Sequence, residues 1–323
     1  MQAFQVTTLG TSAQLRQIPA QKPGENQLEV VINACGLNFA DLLMVKGSYQ
    51  DTPEPPFTLG MEVSGRIASL GANVSDFEIG DRVAVFAGSG GLATRGVFEA
   101  SRAVKLPDTM SDVQAAGFQI AYGTSHLALT RRARLRAGDT LVVLGAAGGV
   151  GLTAVEIGAA LGARVIAVAR GADKLGVAKN AGAEVLLDSD TADLKAEIRA
   201  LGGADVVYDP VGGDALLSVL RACKPEARVL TIGFASGTVP QIPANILLVK
   251  NIDVIGFYWG GYMAFAPNIL RQSMAELLAL FAAGRLNPHI SHKFPLAQAQ
   301  DALDLLASRK ATGKIVVTMP EPA

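Results

Sequence analysis

Cysteine is almost missing from this chain of 323 residues: Cys35 and Cys223 are the only two, too few for a disulfide framework or a cysteine-rich zinc site. The histidines, His126, His289 and His292, show no ligand spacing with a cysteine or an acid, so no chemistry is assigned to them. Neither sign of charge predominates. The 28 Lys and Arg against 29 Asp and Glu leave a net charge of −1, and without a basic block there is no footprint for nucleic acid. No uninterrupted apolar run approaches the ~20 residues that a membrane-spanning helix needs. The opening stretch MQAFQVTTLG lacks the basic and apolar regions of a signal peptide, so a soluble, cytoplasmic protein is expected. Internal repeats and low-complexity segments are lacking too.

What is present is apolar and patterned: half of the residues are hydrophobic, and the length allows two domains. From Met1 to about Thr109 the signals are β-like. Gln27–Ala34 alternates apolar and polar, Met61–Ser69 does so less strictly, and Arg82–Phe86 is a third run. Turn markers at Pro23-Gly24, Thr52–Pro56, Gly80-Asp81 and Gly88–Gly91 separate them, suggesting an irregular, barrel-like domain. Ser111–Arg132 reads as helical. Pro267–Ala283 and Leu296–Ser308 read as later helices, and Lys314–Thr318 as a last strand.

Between these parts the chain is organised around Leu141–Gly162, LVVLGAAGGVGLTAVEIGAALG. Leu141–Leu144 is a short apolar run that suits a strand buried on both faces, and a glycine-rich turn follows at once. Val150, Ala154, Val155, Ile157, Gly158 and Leu161 then recur at helical spacing. In such a strand-turn-helix unit the first-turn N–H groups and the positive end of the helix dipole favour an anion, most naturally a dinucleotide pyrophosphate. The fingerprint GxGxxG lies over Ala146, Gly148 and Gly151, with alanine in its first place. Gly148 would admit the pyrophosphate, and Gly151 would let the helix close on its strand; tight βα turns also carry glycines for steric reasons alone. Further strands at Ala163–Ala169, Glu184–Leu187, Asp205–Tyr208 and Val229–Ile232 alternate with helical stretches, the pattern of a doubly wound parallel α/β sheet.

The end of the second strand bears on which dinucleotide is bound. An NAD site places an acid there for the ribose 2′-hydroxyl, whereas an NADP site offers cations to a 2′-phosphate. Here the residues are Arg170, Gly171, Ala172, Asp173 and Lys174, which favours NADPH; the bland reading is that Arg170 and Lys174 are ordinary solvated charges. Loops at Asp209–Gly213, Gly233–Ala235 and Gly256–Tyr258 follow further strands, where open α/β sheets bind ligands, although plain turn chemistry also explains their glycines. Phe257, Tyr258, Trp259 and Tyr262 suit the wall of an apolar substrate pocket, helix packing or a subunit interface.

These residues carry a resemblance that runs over essentially the full length. GLNFADLLMVKGSY at Gly36–Tyr49, FTLGMEVSGRI at Phe57–Ile67, GDRV at Gly80–Val83, AAGGVG at Ala146–Gly151, KLGVAKNAGA at Lys174–Ala183, VYDPVGG at Val207–Gly213 and GKIVV at Gly313–Val317 resemble the zinc-independent NADPH:quinone oxidoreductases of the medium-chain dehydrogenase/reductase superfamily. The resemblance implies a GroES-like β-rich catalytic domain at residues 1–121, an NADP-binding Rossmann domain at 122–258, a segment 259–323 returning to the catalytic domain, and a cleft between the domains. It also implies a homodimer. Its site residues would be Asn38, Asp41 and Tyr49 for catalysis, with Thr124, Ala147, Gly148, Gly149, Val150, Arg170, Lys174, Val211, Gly233, Phe234 and Phe257 around NADPH.

Zinc-dependent relatives place a Cys where this chain has Asn38, a His where it has Met61, and a further Cys near Ile120, and none of these three can replace the missing ligand. The expected reaction is therefore hydride transfer from NADPH to a small electrophile, a quinone or an α,β-unsaturated carbonyl, with the developing oxyanion stabilised by the site. Bland alternatives stand beside the catalytic assignments. Asn38 and Asp41 also read as an N-cap with an acid at the third helical position, and Tyr49 as a surface aromatic. A short-chain dehydrogenase is excluded, since none of the tyrosines has a lysine four residues on. An NADPH-binding structural or sensor protein with little turnover remains the alternative function.

Overall fold

The alternation in Gln27–Ala34 is a strand, and it forms the hub of a β-rich unit. In chain order the first strands are β1 (Gln2–Val6), β2 (Gln14–Gln17), β3 (Gln27–Gly36), β4 (Phe57–Thr58), β5 (Glu62–Leu70), β6 (Arg82–Phe86), β7 (Arg95–Glu99) and β8 (Ala103–Lys105). Val30, Ile32 and Ala34 of β3 are buried at every second position, as one-sided burial of a strand requires. Helix α1 (Phe39–Lys46) leaves β3, and α2 (Asp112–Ala116) and α3 (Gln119–Leu127) follow β8. Ala128–Arg132 is a π-helical continuation.

The expected parallel sheet follows, built from β9 (Thr140–Leu144), β10 (Arg164–Ala169), β11 (Val185–Asp188), β12 (Ala204–Asp209), β13 (Cys223–Thr231) and β14 (Asp253–Gly256). Its neighbours run β11-β10-β9-β12-β13-β14, all parallel, which counted within the sheet is the doubly wound order 3-2-1-4-5-6. All five residues of β9 are buried, as expected of a central strand covered on both faces. Helices α4 (Gly149–Ala160), α5 (Ala172–Asn180), α6 (Leu194–Ala200), α7 (Gly213–Leu220), α8 (Ala244–Lys250), α9 (Tyr262–Phe265) and α10 (Pro267–Ala282) belong to this part of the chain. Val142, Leu144, Ile166, Val168, Val207 and Val229 from the strands meet Ile198, Leu216, Val219 and Leu220 from α6 and α7 in one apolar cluster.

The chain ends with β15 (Ile290–Pro295), α11 (Ala299–Ser308) and β16 (Lys314–Thr318). These strands extend the first sheet, in which the order is β15-β16-β3-β5-β6-β8 with β7 also paired to β3. The computed structural model describes residues 1–320, so the last three residues of the segment 259–323 lie outside the described residues. Contacts divide the chain into two units, 1–120 with 288–320, and Ala121–Asn287. Among the described residues no helix is long and apolar enough to cross a membrane.

Candidate active site

The glycine turn lies between β9 and α4, and its backbone explains its composition. The positive φ falls on Gly145 (+60°), whereas Ala146 is in ordinary backbone and donates its N–H to Val168 O at 3.0 Å. Alanine in the first fingerprint position therefore strains nothing. Gly151 is different, because a methyl there would lie 2.1 Å from Gly145 O. The helix can approach the strand only without that carbon. Gly148, the N-cap, is exposed, and Leu152 N bonds back to Gly148 O at 2.8 Å, so the amides of Gly149, Val150 and Gly151 precede the first intrahelical bond. That set of donors fits an anion.

Two cations follow the next strand. Arg170 is mostly exposed, and its Nε lies 3.1 Å from Asp190 Oδ1. Partial burial lowers the Lys174 pKa, and the neighbouring positive charge of Arg170 lowers it further. Two cations that disfavour each other suit a shared phosphate, with Asp190 as the counter-charge it would displace.

The loops after β12, β13 and β14 are knitted together. Asp209 Oδ1 accepts from Val211 N (2.8 Å) and Gly212 N (2.9 Å), and Asp209 O accepts from Ile232 N at 2.9 Å. A methyl on Gly145 would come within 2.9 Å of Val211 Cγ2, and one on Gly212 within 3.1 Å of Phe234 Cδ1. Val211 thus sits beside the glycine turn, with Gly233 and Phe234 packed on the loop that carries it, and Phe257 N bonds Thr231 O at 3.1 Å. Thr124 is buried in α3 next to Ser125, whose Oγ donates to Val150 O at 2.9 Å and lies within 3.0 Å of both Thr153 Oγ1 and Tyr208 OH. Ser125, Thr153 and Tyr208 were not read from the sequence, since nothing in their spacing reveals a shared contact. The aromatic stretch is largely packing: Trp259 lies against the Gly123 backbone, and the Phe257 ring is 5.7 Å from that of Tyr262.

The other unit holds Asn38, Asp41 and Tyr49. Asn38 is the N-cap of α1 and forms a capping box with Asp41 at the third helical position, as the sequence suggests. Asp41 Oδ2 accepts from Asn38 N (2.8 Å), while Asp41 Oδ1 accepts from Gly60 N (3.1 Å). The Asn38 carboxamide also meets Lys314 Nζ through Oδ1 (2.8 Å) and Glu62 through Nδ2 (3.0 Å). Tyr49 is half-buried beyond the end of α1, with its carbonyl accepting from Thr52 N and Oγ1. Glu62 and Lys314 form a buried ion pair that sequence reasoning missed; a lysine opening the buried strand KIVVT was the available signal. Met61 is buried, and Ile120 donates its N–H to Glu62 Oε2. Among the described residues no three His, Cys, Asp or Glu side chains are grouped to hold a metal ion.

The parallel sheet in its 3-2-1-4-5-6 order, with a bare glycine turn after the central strand, defines the Rossmann class of dinucleotide-binding folds. Family models described as an alcohol dehydrogenase GroES-like domain and a zinc-binding dehydrogenase match residues 24–108 and 149–282. A quinone oxidoreductase-like protein 2 homolog of Nematostella vectensis is 39% identical over 300 residues, 91% of this chain and 82% of that protein. The Escherichia coli quinone oxidoreductase, solved in complex with NADPH, superposes with a TM-score of 0.90 at 28% identity, covering 98% of this chain and 100% of that one. An enoyl reductase, CurK, superposes with the same score, 0.90, at 25% identity over 99% of both chains. The chain belongs to the quinone oxidoreductase family of medium-chain dehydrogenases/reductases.

Asp41 generates a testable pH dependence. Complete burial raises its pKa from 3.8 to about 6, against the pull of the Asn38 N–H and of Lys314. The folded state then binds this proton more tightly than the unfolded one, so stability falls as pH rises from 3.8 to about 6 and is level above it. That range corresponds to at most about 3 kcal/mol. Urea unfolding of the wild type and Asp41→Asn across this window should show the wild type losing ground as pH rises; parallel curves would refute the assignment.

Proposed function

We propose that this protein is an NADPH-dependent reductase that passes a hydride to a quinone or an α,β-unsaturated carbonyl and works without zinc. The observation that carries the reading is the pair Arg170 and Lys174 after β10, one strand over from the first-turn amides of Gly149 and Val150. The amides, with Gly148 and Ala147, hold the pyrophosphate; Arg170 and Lys174 hold the 2′-phosphate. Thr124, Val211, Gly233, Phe234 and Phe257 line the nicotinamide end. Bound there, NADPH supplies the hydride from its nicotinamide ring. For the acceptor, Asn38 and Tyr49 are the hydrogen-bond donors to the oxygen that gains charge, and Asp41 acts by fixing the Asn38 backbone. One family model is described as zinc-binding, yet Asn38, Met61 and Ile120 stand where the resemblance places zinc ligands.

The relatives' names support both acceptor types, quinone oxidoreductase and enoyl reductase. The deciding assay is NADPH oxidation with 1,4-benzoquinone and a panel of enones, with and without a chelator. Turnover that survives chelation is expected. Binding without any turnover would make the protein an NADPH sensor, and activity lost with a stoichiometric zinc ion would remove the metal-free mechanism.

Cofactor choice has its own test. Arg170→Asp should weaken NADPH binding about tenfold or more while leaving NADH within about twofold, the scale of one charge-assisted phosphate contact. An unchanged NADPH:NADH preference would refute the 2′-phosphate site.

We also propose a homodimer through one open edge of the parallel sheet. β14 is one of the two edge strands, and Val254 on it is exposed together with Leu248 (78%) and Val249 (73%) on α8. An open strand edge beside apolar side chains is a surface that another copy can cover. Sedimentation should show a two-chain species that Val249→Asp shifts toward single chains; a wild-type monomer at micromolar concentration would end this part of the reading.

A further inference from the structure

Glu62 is fully buried and Lys314 nearly so, with Lys314 Nζ 2.8 Å from Glu62 Oε1. Taking two charges out of water is expensive, and an apolar pair of similar volume is often as stable or more so. Stability alone is therefore a poor reason for this pair, and its other contacts suggest a better one.

The three N–H donors of Lys314 are all committed, to Leu37 O (2.6 Å), Asn38 Oδ1 (2.8 Å) and Glu62 Oε1 (2.8 Å). Glu62 Oε1 accepts a second bond from Asn38 Nδ2 at 3.0 Å, and Oε2 accepts from Ile120 N at 2.9 Å. The Asn38 carboxamide is thus gripped at both ends by opposite charges. Flipped by 180°, it would turn its NH2 toward an ammonium and its carbonyl toward a carboxylate, so one orientation is enforced. Its backbone is fixed as well, by the bond from Asn38 N to Asp41. Yet Asn38 is only partly buried, and its second amide hydrogen has only a long 3.4 Å approach to Gly36 O. An ammonium on the carbonyl oxygen polarises the amide and strengthens its N–H as a donor.

We propose that Lys314 and Glu62 are positioning residues that set the Asn38 amide N–H to donate to the acceptor oxygen as hydride arrives. This rests on the reading of Asn38 under Proposed function and adds to it what orients the group. Neither charged residue touches the acceptor; both act through Asn38.

The test uses kcat and KM with 1,4-benzoquinone, or the best enone of the panel, at saturating NADPH. The principal variant is Lys314→Met/Glu62→Gln, which removes both charges together and avoids stranding either one in the core. It should fold, bind NADPH as the wild type does, and lose about 10- to 100-fold in kcat, the scale of a misplaced catalytic group. Added to Asn38→Ala, the same pair of changes should cause no further loss beyond about twofold, because the group they orient is already gone. Losses that multiply would overturn the proposal, since Lys314 and Glu62 would then act independently of Asn38. Wild-type kcat in the double variant would overturn it equally. Full activity in Asn38→Ala alone would instead defeat the assignment of Asn38 itself, a separate failure. Should the double variant not fold, Glu62→Asp carries the same comparison, because it keeps both charges in the core while drawing the carboxylate back from Asn38 Nδ2.

Discussion

The second unit depends on how closely α4 can approach β9. At Gly151 the space left for a side chain is negative, a methyl falling 2.1 Å from the Gly145 carbonyl, and at Gly158 it would meet Leu141 Cδ2 at 2.5 Å. Because both positions are glycine, the helix begins directly above the carboxyl end of the central strand. β10 lies on one side of that strand and β12 on the other, which is the switch point at which an open α/β sheet receives ligands. The loop after β12 then completes the floor, since Asp209 folds it back through two backbone N–H groups. A close helix-strand contact thus determines where the leading amides of α4 lie, and the neighbouring loops pack around it.

The two units solve the problem of buried polar groups differently. Beneath the glycine turn the solution is neutral: the hydroxyls of Ser125, Thr153 and Tyr208 satisfy one another and the Val150 carbonyl. Such a network anchors the first turn of α4 without adding charge beside its leading amides. In the β-rich unit the solution is ionic, with Glu62 and Lys314 fully hydrogen-bonded within a region from which water is excluded. A charge pair in low dielectric is highly directional, so it suits the holding of a single side chain in one orientation.

Much of the fold was legible because it is carried by local pattern. The runs Leu141–Leu144 and Ala163–Ala169 are strands within one residue of their observed limits, and Arg82–Phe86 and Lys314–Thr318 match theirs. A strand such as Gln14–Gln17, exposed at all four positions, has no buried face and hence no alternation to read. The glycine turn was legible for the same local reason, whereas the Glu62–Lys314 pair joins residues 252 apart and no window of sequence contains both. Asn38 was legible as a helix start with Asp41 as its capping-box partner, whereas the contact of its side chain with that distant pair was not.

The kind of donor present also limits the substrate class on the proposed reading. Asn38 offers a neutral amide, and removing one such donor from an oxyanion site typically changes rates by about 10²–10³. That is modest beside a Lewis-acidic metal, which adds several kcal/mol of charge stabilisation without any proton transfer. An unactivated ketone or aldehyde concentrates the incoming electron pair on one oxygen and calls for the stronger group. A quinone or an enone spreads that charge through its conjugated system before the oxygen receives it, so a well-oriented amide is enough. The demand is then for orientation rather than charge at the acceptor, and the buried pair behind Asn38 provides orientation.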